Sequence, residues 1–143
     1  MKLLIRNWKP EDLPSLIELN RQWGYETSEG LLSKQLERIN QMENAAVYVA
    51  EVDGQVGGRI FIMEHITLGS EGFTEVHGLV VDEKFRRSGI GKCLIEKARQ
   101  WSREKGFSVM KLRTNTKRTE ANLFYPSIGF IQEKQQNIFS IET

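Results

Sequence analysis

Cysteine is nearly missing from this chain. Cys93 stands alone among 143 residues, which excludes an internal disulfide, and with His65 and His77 as the only histidines little is left to build a structural metal site. A reducing, cytoplasmic setting suits such a chain, and no metal is expected. Excess charge is missing too: 20 basic residues against 19 acidic ones leave +1, so no whole-protein field favours nucleic acid or an anionic membrane. Any anion site must therefore be local. The start, "MKLLIRNWKPED", holds no long apolar run and reads as neither a signal peptide nor a membrane span. There is no internal repeat, low-complexity tract or linker rich in Pro, Gly and Ser, so a single domain over residues 1–143 is expected, long enough for a continuous core.

What is present alternates between strand and helix patterns. "KLLIRNW" reads as a strand, and "PEDLPSLIELNRQW" as a helix with Asp12 as N-cap and Gly24 as its end. "SEGLLSKQLERINQM" repeats Leu32, Leu36 and Ile39 at helical spacing. "AAVYVAEV" and "QVGGRIFIMEHI" flank Asp53-Gly54, the signal of a tight hairpin. After "FTEVHGLVV" comes a helix with Ile90, Leu94, Ala98 and Trp101 on one face and Gly106 as a left-handed cap. "FSVMKLRT" predicts a strand, "TEANLFY" a short helix, and "GFIQEK" with "NIFSIE" two final strands. The order is βααβββαβαββ, an α/β fold in which residues 75–114 form a parallel crossover.

"RRSGIGKC", Arg86 to Cys93, falls where a strand of that crossover turns into its helix. Unpaired backbone N–H groups and the positive end of the helix dipole converge there, and glycines let a phosphate approach the backbone closely. Arg86, Arg87 and Lys92 add positive charge, so the turn suits a pyrophosphate. A P-loop would need glycine at Arg86 and Ser or Thr at Cys93; a dinucleotide fingerprint would need Gly or Ala at Leu94. Both fail on spacing. The plainer alternative is a glycine-assisted turn with solvated arginines. Gly78, inside an apolar strand, marks a bulge or a close backbone approach.

Arg86-x-x-Gly89-x-Gly91, followed by "FYPSIGF" with Phe124-Tyr125 and Gly129-Phe130, resembles the GNAT superfamily of acyl-CoA-dependent N-acyltransferases. The resemblance runs from "IRNWKPEDLPSLIEL" to the final "GF" and is strongest over residues 75–130. It implies a mixed, mostly antiparallel sheet with a central, splayed parallel strand pair flanked by helices, and acetyl-CoA as co-substrate. It implies that the amides of Arg87, Ser88, Gly89, Ile90, Gly91 and Lys92 hold the CoA pyrophosphate, that Arg86 supports the turn, and that backbone groups of Leu79, Val80 and Val81 pair with the pantetheine arm. Where many members have Asn, seven residues before the helix tyrosine, this chain has Arg118, with Asn115 and Asn122 nearby as cofactor-binding candidates. Pro126 also departs from the pattern and is expected to shorten the helix or tilt the phenol.

Acyl transfer to an amine needs a group that removes the ammonium proton and one that protonates the departing thiolate. By the resemblance, Tyr125 is the acid and Glu75, eleven residues before Arg86, the base. His77, whose ordinary pKa lies near neutrality, is the other candidate base. The alternatives are a packed aromatic, a solvated carboxylate and a hydrogen-bonded imidazole. Cys93 reads as a small core residue.

The acceptor is expected to be a small-molecule or peptide amine, bound by "WGYETSEG" and "EHITLGSEG". There Glu26, Glu29, Glu64 and Glu71, with Trp23 and Tyr25, suit a cation, or else are solvated loop residues. Two other readings stand beside the enzyme: a non-catalytic acyl-CoA-binding or sensing domain, and an interaction domain with no CoA site. By analogy with the superfamily, "NIFSIET" is a candidate seam for a homodimer.

Overall fold

Residues 1–143 are all described by a computed structural model, in which the chain divides into two compact units, Met1–Arg113 and Thr114–Thr143. The first unit contains β1 (Leu3–Asn7), α1 (Leu13–Trp23), α2 (Glu29–Asn40), β2 (Ala45–Val52), β3 (Gln55–His65), β4 (Phe73–Val81), α3 (Ile90–Glu104) and β5 (Met110–Leu112). The strands form one sheet in the order β1-β2-β3-β4-β5, antiparallel except for the parallel pair β4–β5 that α3 connects. No helix is long and apolar enough to cross a membrane.

Local chemistry sets most boundaries. Asp53 (φ 48°) and Gly54 (φ 85°) both take the left-handed region, as the tight β2–β3 hairpin requires. α1 stops at Gly24 (φ 104°), and Ser28 Oγ caps α2 by accepting from the Leu31 amide at 3.2 Å. Leu16, Leu19, Leu32 and Leu36 of α1 and α2 bury against Val47, Val49 and Val80 on one face of the sheet. The opposite face is covered by α3, which buries Ile90, Leu94, Ile95, Ala98 and Trp101. A polar link crosses this second layer: Ser102 Oγ donates to Ala98 O at 2.8 Å, which leaves Thr74 Oγ1 to donate to Ser102 Oγ at 2.6 Å.

Three expectations need correction. Asp12 precedes α1, but its side chain caps nothing in that helix. It is 5% exposed and accepts two hydrogen bonds from Arg6, at 2.8 and 2.9 Å, and one from the Lys9 amide at 2.7 Å. Arg6 lies on β1, and a bidentate guanidinium–carboxylate pair outcompetes a single capping bond. "FSVMKLRT" forms a strand only at Met110–Leu112. "GFIQEK" and "NIFSIE" form no strand at all: in the second unit α4 (Thr119–Ser127) is the only regular element, and Ile131, Ile138, Phe139 and Ile141 are exposed. Strand propensity expresses packing against partner strands, and no ladder is offered to these residues.

Burial pushes the Asp12 carboxyl up, but the Arg6 hydrogen bonds and charge and the Lys9 amide together hold it below the ordinary carboxylate range. A carboxyl lowered in the folded state contributes stability at pH values above its unfolded pKa and loses it as pH falls through the folded one. Asp12→Ala is therefore expected to destabilise by about 2 kcal/mol at pH 7. Urea midpoints of wild type and variant should converge as pH drops below about 4.

Candidate active site

The strand-to-helix turn is shaped by two left-handed residues. A short 3₁₀ turn over Glu83–Phe85 passes to an extended Arg86, then Arg87 takes φ 63° and Gly89, the residue before α3, takes φ 85°. No side chain caps α3, and its first closing bond is the Cys93 amide to Gly89 O at 3.1 Å. The amides from Arg87 to Lys92 find no acceptor within the chain. A run of unsatisfied donors at the positive end of a 15-residue helix is an anion site by construction. Arg86 folds back so that Nε donates to Val81 O at 3.4 Å, and Ser88 Oγ donates to Phe85 O. Arg87 and Lys92 stay exposed, whereas Ile90 is buried and ties the turn to the core.

Sequence reasoning missed what seats this turn. A Cβ on Gly57 would lie 2.7 Å from the Phe85 ring, and one on Gly58 would lie 3.0 Å from Val80 O and 3.2–3.3 Å from Leu94 and Ile90. The Gly-Gly pair thus lets Phe85 and the first turn of α3 sit directly on β3. A glycine pair inside an apolar strand was the available signal.

The parallel pair opens above a bulge. In the β3–β4 register, Phe61 faces Gly78 and Ile62 faces Val76, so His77 is an extra residue on β4. Below it, Thr74 to Val76 pair with Met110 to Leu112, and the Thr74 amide donates to Val109 O at 3.0 Å. Above it, the alternation is reversed. The Asp82 amide donates to Gly57 O at 2.8 Å, so Val80 and Gly78 turn their backbone groups to β3, whereas Leu79 and Val81 turn theirs to the other edge. No strand pairs with that edge of Leu79 and Val81. Gly78 itself is a site of close approach: a Cβ there would lie 2.9 Å from Arg59 Nη1 and 3.1 Å from the Trp23 ring.

Glu75 is one of few buried acids, at 7% exposure. Its Oε1 forms an ion pair with Arg113 Nε at 2.9 Å, while Oε2 lies 3.4 Å from His77 Nε2 and 4.0 Å from His65 Nδ1. The structure therefore brings both candidate bases together, in a cluster that includes two residues the sequence did not connect to them. His65 is held by stacking on Phe73 (centroids 4.4 Å apart), and His77 lies against Phe61 at 5.5 Å. His77 is the more open partner, its side chain 42% exposed against 9% for Glu75. Among the acceptor candidates, Glu26, Glu29 and Glu71 are exposed and Glu64 is half-buried. Cys93 is half-buried on α3.

In the second unit, Tyr125 lies on α4 beside Phe124 (5.2 Å) and Phe130 (5.5 Å), both edge-on. Pro126 occupies the last turn of α4, and the helix ends one residue later. Burial pushes the Tyr125 phenol up to about 12 against the opposing charge of Arg118. Asn122 closes the preceding loop, its Oδ1 accepting from Thr114 Oγ1 and its Nδ2 donating to Asn115 O at 3.1 Å and Thr116 O at 3.3 Å. Asn115 Oδ1 accepts from the Lys117 amide at 2.9 Å.

A five-stranded mixed sheet with a parallel β4–β5 pair, flanked by helices, is the architecture of acetyltransferases of the GNAT type. The family model described as "Acetyltransferase (GNAT) domain" matches residues 43–132, and the chain belongs to that family. Human N-acetyltransferase 8 is 32% identical over 96 residues, covering 66% of this chain and 41% of that protein; the chain thus spans under half the length of this curated relative. The aminoglycoside N-acetyltransferase AAC(6')-Iy, solved in complex with CoA, superposes with a TM-score of 0.86 at 23% identity, over 99% of this chain and 95% of that one. An aminoglycoside acetyltransferase from an uncultured soil metagenomic sample, meta-AAC0020, solved in complex with trehalose, gives 0.79 at 26% identity over 99% and 96%.

A phenol raised by burial stays protonated, and so remains a proton donor, throughout the neutral range. Of the three tyrosines, Tyr125 is expected to retain its proton to about pH 12, with Tyr125→Phe deleting that step from a carbon-13 titration of the Tyr Cζ signals.

Proposed function

We propose that residues 1–143 act as one N-acetyltransferase domain that moves the acetyl group of acetyl-CoA to a primary amine of a small molecule or peptide, by direct attack in a ternary complex. The observation that carries this reading is the run of acceptor-free amides from Arg87 to Lys92, next to the strand edge of Leu79 and Val81 that no strand pairs with. The amides suit a diphosphate, aided by the charges of Arg87 and Lys92, with Arg86 bracing the turn from Val81 O. The open edge suits the amide groups of a pantetheine arm. Val80 supports it from the core, its own backbone groups facing Arg59 of β3. Asn115 and Asn122 shape the loop before α4 through the bonds they already make. The CoA complex of the structural relative supports the choice of carrier.

In the reaction the amine nitrogen attacks the thioester carbonyl, a C–N bond forms and the C–S bond breaks. Before attack the ammonium gives its proton to the Glu75–His77 pair, of which His77 is the exposed half and Glu75 the buried, Arg113-anchored half. Tyr125 protonates the departing thiolate, and the second proton that the nitrogen sheds as the amide forms restores the phenol through solvent.

Calorimetry with acetyl-CoA and thiol detection over an amine panel test the two halves of this reading separately. Saturable binding is expected, with amide shifts confined to residues 87–92 and the edge of β4, and Gly91→Asp should weaken it at least about tenfold by placing a carboxylate among the donors. Tyr125→Phe should leave binding intact and lower kcat by about 100-fold. Binding without thiol release from any amine would identify a sensing domain instead, and no binding would remove the reading altogether.

A further inference from the structure

Arg59 is a cation without an anion. It sits on β3 between Val49 of β2 and Val80 of β4 in the sheet register, and those two valines belong to the core beneath α1 and α2. The guanidinium is stacked over Trp23, 5.2 Å from the ring centroid, and Nη2 donates to Asn20 Oδ1 at 2.6 Å. That is its one hydrogen bond within the chain, out of five N–H groups, and no carboxylate comes within ion-pair distance. Two other charged groups of this unit are matched: Arg6 has Asp12 and Glu51, and Glu75 has Arg113. Burial alone, with no charged partner opposing it, pushes the Arg59 guanidinium down to about 10, still fully charged at neutral pH.

Its position matters as much as its isolation. Nη1 abuts β4 at Gly78, 2.9 Å from where a Cβ would lie, and Gly78 directly follows His77 of the bulge. His77 in turn touches Phe61, which faces Gly78 across the ladder. Side chains of Glu75 and His77 share a sheet face with Arg59: Thr74 and Val76 alternate with them, and Thr74 bonds Ser102 of α3 on the opposite face, whereas Arg59 meets Trp23 of α1. One face thus carries the Glu75–His77 pair and an unmatched guanidinium, whose Nη1 meets β4 at the residue next to His77. The aromatic rings of Trp23 and Tyr25, 4.9 Å apart, close the guanidinium end.

We infer that the amine acceptor carries a carboxylate next to its amino group, and that Arg59 binds that carboxylate while the amine faces His77 and Glu75. The acceptor class is then an α-amino acid with its α-amino and α-carboxyl groups both free. A carboxylate accepts two parallel N–H bonds from one guanidinium, which meets the need of the donors left over by Asn20. Because the guanidinium meets β4 at the residue next to His77, one acceptor can present its amine to the Glu75–His77 pair and its carboxylate to Arg59. This inference rests on the acetyltransferase reading above and narrows its substrate.

The test uses the full chain, acetyl-CoA, thiol detection and matched acceptor pairs: phenylalanine against phenethylamine and phenylalaninamide, and leucine against isoamylamine. Wild type should favour the carboxylated member of each pair by at least about tenfold in kcat/KM. Arg59→Gln should lower kcat/KM for the amino acids by about 100-fold, chiefly through KM, while the uncharged analogues change less than about threefold. Arg59→Lys should restore part of the preference. A residue that only props α1 would depress both members of a pair alike. Equal rates on carboxylated and uncarboxylated amines in wild type would overturn the inference while leaving the acetyltransferase reading in place, whereas no thiol release from any amine would overturn both. If Arg59→Gln fails to bind acetyl-CoA by calorimetry, and so has not folded, the wild-type pairs alone decide.

Discussion

One extra residue in β4 governs the architecture around the site. His77 has no partner on β3, and the strand on either side of it is out of phase by one residue. Before the bulge the backbone of β4 is committed to β5, and after it the same edge presents Leu79 and Val81 with no strand beside them. A regular strand would have continued pairing or ended. The bulge instead keeps β4 bonded to β3 while freeing its other edge, so the sheet stays intact and still opens. It also places Glu75, His77 and Gly78 on one face, where a strict period of two would have sent Gly78 to the other side.

The second constraint is close approach, and glycine supplies it. Gly57 and Gly58 let Phe85 and the first turn of α3 rest on β3, which aims the uncapped helix start at the opened edge. Gly78 admits the Arg59 guanidinium and the Trp23 ring against β4. These are packing requirements, not turn requirements, because the neighbours that need the space come from distant parts of the chain. The site is therefore defined as much by absent side chains as by reactive ones.

Much of this was legible beforehand because it is written locally. The Asp53-Gly54 hairpin, the Gly24 and Gly106 caps and the helical spacing of Leu32 and Leu36 depend on neighbours within a few residues. The turn at Arg86-x-x-Gly89-x-Gly91 was legible for the same reason, since helix starts and glycine conformations are short-range matters. The final strands were misread because their apolar alternation implies a partner ladder that only the folded chain can provide. Asp12 looked like a cap because Arg6, its true partner, lies on another element. Nothing local singles out Arg59; that it lies above Trp23 without a counter-ion depends on where α1 ends relative to β3 and β4.

By itself, the order of amino acids determined the succession of helices and strands through β5, the anion-suited turn and the family motif, because each rests on backbone preferences acting over a handful of residues. Tertiary structure alone decided which residues meet. It brought His65 and Arg113 to Glu75, made His77 the bulged residue, and stranded a positive charge beside it, because these contacts join segments tens of residues apart whose register and packing no local preference encodes.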